Sequence, residues 1–104
     1  MRTRRMHNAD GQLTGFEIGN ALITRLGVLR ILERIPGVVI TKRPRWWRSW
    51  EDDDFVHFTL NGHTFLAIEP FGDNDCYWIV AEDTFDIPEI DFVRREFDAR
   101  RAWG

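Results

Sequence analysis

The chain holds a single cysteine, Cys76, in 104 residues. No disulfide can close within it, and a reducing, cytoplasmic setting is expected. No hydrophobic run approaches the roughly 20 residues that span a bilayer. The basic start Met-Arg-Thr-Arg-Arg-Met leads into no apolar stretch of the signal-peptide kind, so an unprocessed protein off the membrane is expected. Glycines stand at positions 11, 15 and 19, yet neither GxGxxG nor GxxxxGK is present to cradle a phosphate. HExxH and paired CxxC spacings are missing, and the acidic run Glu51–Asp54 has neither the alternation nor the glycine of an EF-hand loop. A solvated turn explains that run better than a metal site. No metal and no cofactor is expected.

Aromatic residues and charge are what the sequence has in quantity. The apolar share of 43% is ample for a core and excludes disorder. At this length the chain fits one domain that buries about two-thirds of its unfolded surface. The charges are split. Residues 1–50 carry ten Arg/Lys and three Asp/Glu, whereas residues 51–104 carry four and fourteen. Either the halves face each other in the fold, which the shared core favours, or a basic side meets an acidic partner or nucleic acid.

The densest structural signal runs from Phe55 to Glu82. Three runs of aromatic and β-branched residues are separated by Asn61-Gly62 and by the turn 70–75. Asn-Gly supplies the two positive φ angles of a type I′ turn. That turn sets Leu60 opposite His63, Phe58 opposite Phe65 and Val56 opposite Ala67. The core side then holds Val56, Phe58, Leu60, Phe65 and Ala67, while Phe55, His57, Thr59, Thr64, Leu66 and Ile68 face away. Trp78 is assigned to the core side with Phe58 and Phe65.

Around this hairpin, Val38–Arg43 reads as a strand by β-branching, and Pro44 places it at a sheet edge. Asn20 is an N-cap for a helix over Ala21–Ile35, with Leu22, Leu26, Leu29, Leu32 and Ile35 as its stripe and Pro36-Gly37 as its stop. A second helix follows Asp86, which with Glu89 resembles a capping box, and Pro88 suits the first turn. Ile90, Val93 and Phe97 form its core stripe, Phe92 and Trp103 fall nearly opposite, and Asp91–Arg95 and Glu96–Arg100 are i,i+4 pairs. Residues 1–12 read as a flexible basic tail in preference to a hairpin arm on Leu13–Ile18, leaving residues 13–104 as a single α+β domain. The expected architecture is a four-stranded antiparallel meander with two helices packed on one face, in the order α-β-β-β-β-α.

Several kinds of function follow from particular residues. A small enzyme would use Cys76 as nucleophile with His57 or His63 as base. Register sets His63 roughly 20 Å from Cys76 and turns His57 to the other face, so a non-catalytic protein is expected. Glu69 with Asp73 and Asp75 could pair carboxylates, but turn hydrogen bonding accounts for them. Nucleic-acid binding draws on Lys42–Trp50, where basic and aromatic residues interleave as single-strand binders require. The helix-strand-strand-strand-helix order also resembles the double-stranded-RNA-binding domain in topology, although Asp86–Asp91 would repel phosphate where that family is basic.

A protein-interaction or regulatory module is the leading expectation. Five tryptophans exceed what one small core easily holds, and Trp and Arg are enriched at interface hot spots. The expected contact residues are Arg45, Trp46, Trp47, Arg48 and Trp50, with Phe92 and Trp103 on the last helix as a second surface. The partner would be another protein or a second copy of the chain in a homodimer. Arg45 and Arg48 could then pair with Glu51–Asp54 of the neighbour. Alternatively, Trp46 or Trp50 folds back over the half-apolar sheet face.

Overall fold

The computed structural model describes residues 2–19, 23–43, 54–70 and 76–100. The elements in chain order are β1 (Thr3–His7), β2 (Leu13–Gly19), α1 (Arg25–Glu33), β3 (Val39–Lys42), β4 (Asp54–Leu60), β5 (His63–Ile68), β6 (Cys76–Ala81) and α2 (Pro88–Asp98). All six strands join one antiparallel sheet in the order β1-β2-β6-β5-β4-β3. The class is α+β.

The four-stranded meander in the order α-β-β-β-β-α is therefore corrected to six strands in the order β-β-α-β-β-β-β-α. The four expected strands keep their meander, and β3 lies at the edge as Pro44 required. Two further strands extend the sheet beyond β6. The segment expected as a tail supplies β1, which pairs with β2 across the Asp10-Gly11 turn. Its sequence, Thr-Arg-Arg-Met-His, lacks apolar alternation because an edge strand buries little. In β2 the alternation is present: Phe16 and Ile18 are fully buried.

The hairpin register holds as the Asn-Gly turn dictates. Leu60 faces His63, Phe58 faces Phe65 and Val56 faces Ala67. Asn61 and Gly62 take φ of 51° and 82°. Phe58 and Phe65 stack with ring centroids 5.0 Å apart. Alternation fails at the start of β4, where the register shifts between Asp54 and Val56. This bulge turns Phe55 inward, against Tyr77 at 5.3 Å between ring centroids. Trp78 is likewise corrected to the opposite face: Tyr77, Ile79 and Ala81 are the buried residues of β6. The Trp78 indole N–H donates to Glu17 at 3.3 Å on that outer face.

Both helices cover the face that holds Phe16, Phe58, Phe65 and Ile79. Phe97 of α2 meets Phe16 with centroids 5.6 Å apart, and the Tyr77 hydroxyl donates to the Ile23 carbonyl just before α1. Asn20 lies outside the described residues. The helix instead starts at Arg25, with Thr24 as N-cap accepting from the Gly27 N–H at 3.1 Å. Its buried residues are Val28, Leu29, Ile31 and Leu32, so Leu26, expected on the stripe, is half exposed. Arg25 sits at the positive end of this helix, where a cation is unfavourable. Its tertiary contacts account for it: the guanidinium binds the buried Glu69 carboxylate and lies 4.9 Å over the Phe55 ring.

The oppositely charged halves of the chain meet in the fold. Arg5 binds Asp91, Arg25 binds Glu69, and Lys42 approaches Asp54.

Candidate functional site

Three segments converge on a groove at one end of the sheet. Proline stops the first helix, so the chain leaves α1 through the exposed Pro36. The β4–β5 turn brings Leu60 and Asn61, and α2 brings Pro88, Glu89, Phe92 and Arg95. Together they line an open groove of about 310 Å³. Its floor is apolar. Leu60 is buried beneath it, while Phe92 remains 36% exposed because it points away from the Ile90, Val93 and Phe97 stripe.

The polar rim divides into a satisfied half and an unsatisfied half. The Asn61 amide donates to the Glu89 carboxylate at 2.9 Å, and the His63 ring lies 3.9 Å from it. That hydrogen bond, with help from its own backbone N–H, holds the Glu89 carboxyl below the usual carboxylate range. Glu89 thus ties α2 to the hairpin instead of completing a capping box. The N-cap is Ile87, with no side-chain cap. Asp86 adopts φ of 57°, and its carboxylate and N–H bind the backbone N–H and C=O of Leu13. The expected Asp91–Arg95 pair is absent as well, because Asp91 binds Arg5 and Arg94. Arg95 is left exposed at the groove, its guanidinium without a hydrogen-bond or ion-pair partner among the described residues. An apolar floor beside a free guanidinium suits an apolar side chain next to a carboxylate.

Of the residues expected to make contact, Phe92 lies in this groove. Arg45, Trp46, Trp47, Arg48, Trp50 and Trp103 lie outside the described residues. Two basic residues at the start of the expected nucleic-acid segment are engaged within the fold. Lys42 binds the Asp54 backbone carbonyl at 2.9 Å, and Arg43 binds Glu33. The resemblance to the double-stranded-RNA-binding domain is lost with the two added strands.

Cys76 is half-buried and shares the outer face with His57 by strand alternation, contrary to the expected opposite faces. They are nevertheless distant. The register sets His57 across from Leu66 and Leu66 across from Val80, four residues beyond Cys76. Strand spacing and rise separate them by roughly 16 Å. His57 instead meets Asp54 at 2.7 Å, and this hydrogen bond, aided by nearby Lys42, lowers the Asp54 carboxyl. Among the described residues no group of three His, Cys, Asp or Glu could hold a metal ion. No described helix is long and apolar enough to cross a membrane.

Sequence reasoning missed Arg95, Pro36 and Leu60 as members of a site. The available signal was a helix stop at Pro36-Gly37, a helix start at Pro88 and a tight turn at Asn61-Gly62, which bring three chain reversals to the same end. No family model, no curated protein and no solved structure matches this chain.

Proposed function

We propose that the chain is a non-catalytic interaction module that binds another polypeptide, with the groove at Phe92 as a contact surface. The observation that carries this reading is the unpartnered Arg95 beside the exposed Phe92, over a floor of proline and leucine. Phe92 and Arg95 are of the residue kinds that dominate binding energy at interfaces, and burying them against a partner would satisfy both. The segment Arg45–Trp50 is proposed as a further contact on its composition, and a cytoplasmic setting fits the single cysteine.

A photo-crosslinking benzoylphenylalanine in place of Phe92, with the chain expressed in cells, tests the reading. A discrete covalent adduct with a polypeptide is expected, and it should disappear when Arg95→Glu is added. Absence of any adduct while the fold is intact overturns the groove as a contact surface. Nucleic acid is separated from protein by salt. A complex resting on phosphate contacts weakens steeply between about 50 and 200 mM salt, whereas one resting on apolar burial changes little.

A further inference from the structure

The chain carries a ligand of the chemistry its own groove calls for. Between β6 and α2, Phe85 is 47% exposed, although a large aromatic is normally buried. It is flanked by Glu82 and Asp83, both exposed, whose carboxylates have no hydrogen-bond or ion-pair partner among the described residues. An aromatic anchor beside two free carboxylates is the complement of Phe92, Leu60 and Pro36 beside a free Arg95. The loop that carries this anchor is pinned at the next residue, Asp86. That residue fixes the loop through Leu13, at 2.7 Å to its N–H and 2.8 Å to its carbonyl.

We infer that the polypeptide bound in the groove is a second copy of this chain, each protomer inserting Phe85 into the partner's groove and setting Glu82 and Asp83 against the partner's Arg95. This rests on the interaction reading above and names its partner. Phe85 and Pro88 stand three positions apart, so anchor and groove lie within about 10 Å of one another along the chain. A two-fold axis between them lets both insertions form at once, which is the self-complementary arrangement of a cyclic dimer. Each insertion buries two exposed aromatics and brings a guanidinium to carboxylates and to the incoming ring face. The pairing differs from the Arg45–Trp50 dimer expected from sequence, and the two are separable by mutation.

The test is the mass of the full chain by light scattering and sedimentation from about 10 μM to about 1 mM, the range of weak self-association. The wild type should pass from one to two chains per particle. Phe85→Ala should weaken the dimer about thirtyfold or more, as loss of an aromatic hot spot does. Arg95→Glu should weaken it about tenfold or more, and combining Arg95→Glu with Glu82→Lys and Asp83→Lys should restore it. All four positions are exposed, and far-UV circular dichroism checks that each variant is folded. In the benzoylphenylalanine variant, the adduct should map to the peptide holding Phe85 of another copy. A wild type that stays monomeric, a dimer indifferent to Phe85→Ala, or a charge reversal that fails to rescue overturns the inference. An adduct with a different protein, on a monomeric chain, overturns the inference and leaves the interaction reading standing. Absence of any adduct removes both.

Discussion

The two flanks of α2 are unlike. On the flank toward β1, charged residues find partners. Arg5 donates two hydrogen bonds to Asp91, Arg94 binds Asp91 and Asp98, and the Thr3 N–H and hydroxyl both donate to Asp98. On the groove flank, Phe92 is exposed and Arg95 has no partner among the described residues. The first flank is what a helix looks like when its polar residues serve the fold. The second holds an aromatic and a cation that the fold does not use, and such residues are inexpensive to keep exposed yet costly to lose if a partner takes them. If the groove binds a partner as proposed, stability and binding are separable along a single helix of eleven residues.

Mutations can sharpen that contrast, and the largest effect should come from the buried stripe between the flanks. Phe97→Ala removes a fully buried ring from Phe16 and should cost about 3–5 kcal/mol, measured by urea unfolding. A cost under about 1 kcal/mol would mean that α2 packs on the sheet less tightly than the burial implies.

The paired flank should respond next, and through pH. The hydrogen bond from Arg5, with that from Arg94, holds the Asp91 carboxyl below its ordinary value. A carboxylate lowered in the folded state stabilises the fold fully above its unfolded pKa of about 4, and the contribution is lost as pH falls through the lowered value. Melting temperature should therefore drop on acidification below about pH 4, and Asp91→Asn should make that acid limb shallower. An acid limb identical in Asp91→Asn would assign the pH response to other carboxylates, among them Glu89 and Asp54.

The smallest effect on stability belongs to the groove flank. Phe92→Ala and Arg95→Ala should each stay within about 0.5 kcal/mol of the wild type. A much larger loss from either would show that the groove serves the fold after all.

How much of this was legible depends on what each residue answers to. The β4–β5 hairpin was, because Asn61-Gly62 is a local instruction and one burial pattern satisfies it. Phe55 was not, since a bulge is set by what the extra residue can reach, here Tyr77 and Arg25. β2 announced itself only by Phe16 and Ile18, and β1 had no pattern to read because its charges answer to other elements, Arg4 to Glu17 of β2 and Arg5 to Asp91 of α2. The capping-box pair Asp86 and Glu89 was seen, but both side chains serve distant segments, Leu13 and Asn61. Tertiary partners displaced local ones there, and again at Asp91. The groove was half legible: the stripe of α2 left Phe92 outside, while the freedom of Arg95 depends on Arg5, far away in sequence, having taken its expected partner.

The pairing of β2 with β6 sets Gly15 beside Val80 and Gly19 beside Cys76. A contact between such distant parts of the chain is slow to find, because a long loop must close before the pairing gives any return. The meander of β3 to β6 pairs only strands that follow one another in the chain and can assemble first. Closure onto β6 then recruits the β1–β2 hairpin and, through Phe16 and Asp91, α2. A methyl group at Gly15 would run into the Ile79 carbonyl oxygen, so the seam tolerates no side chain there. Contact order thus predicts two pieces joined late in folding. In native-state hydrogen exchange the amides of β1 and of α2 should open together, below the free energy of β4 and β5. The surface on which the groove depends would then be the last part of the protein to exist and the first to be lost.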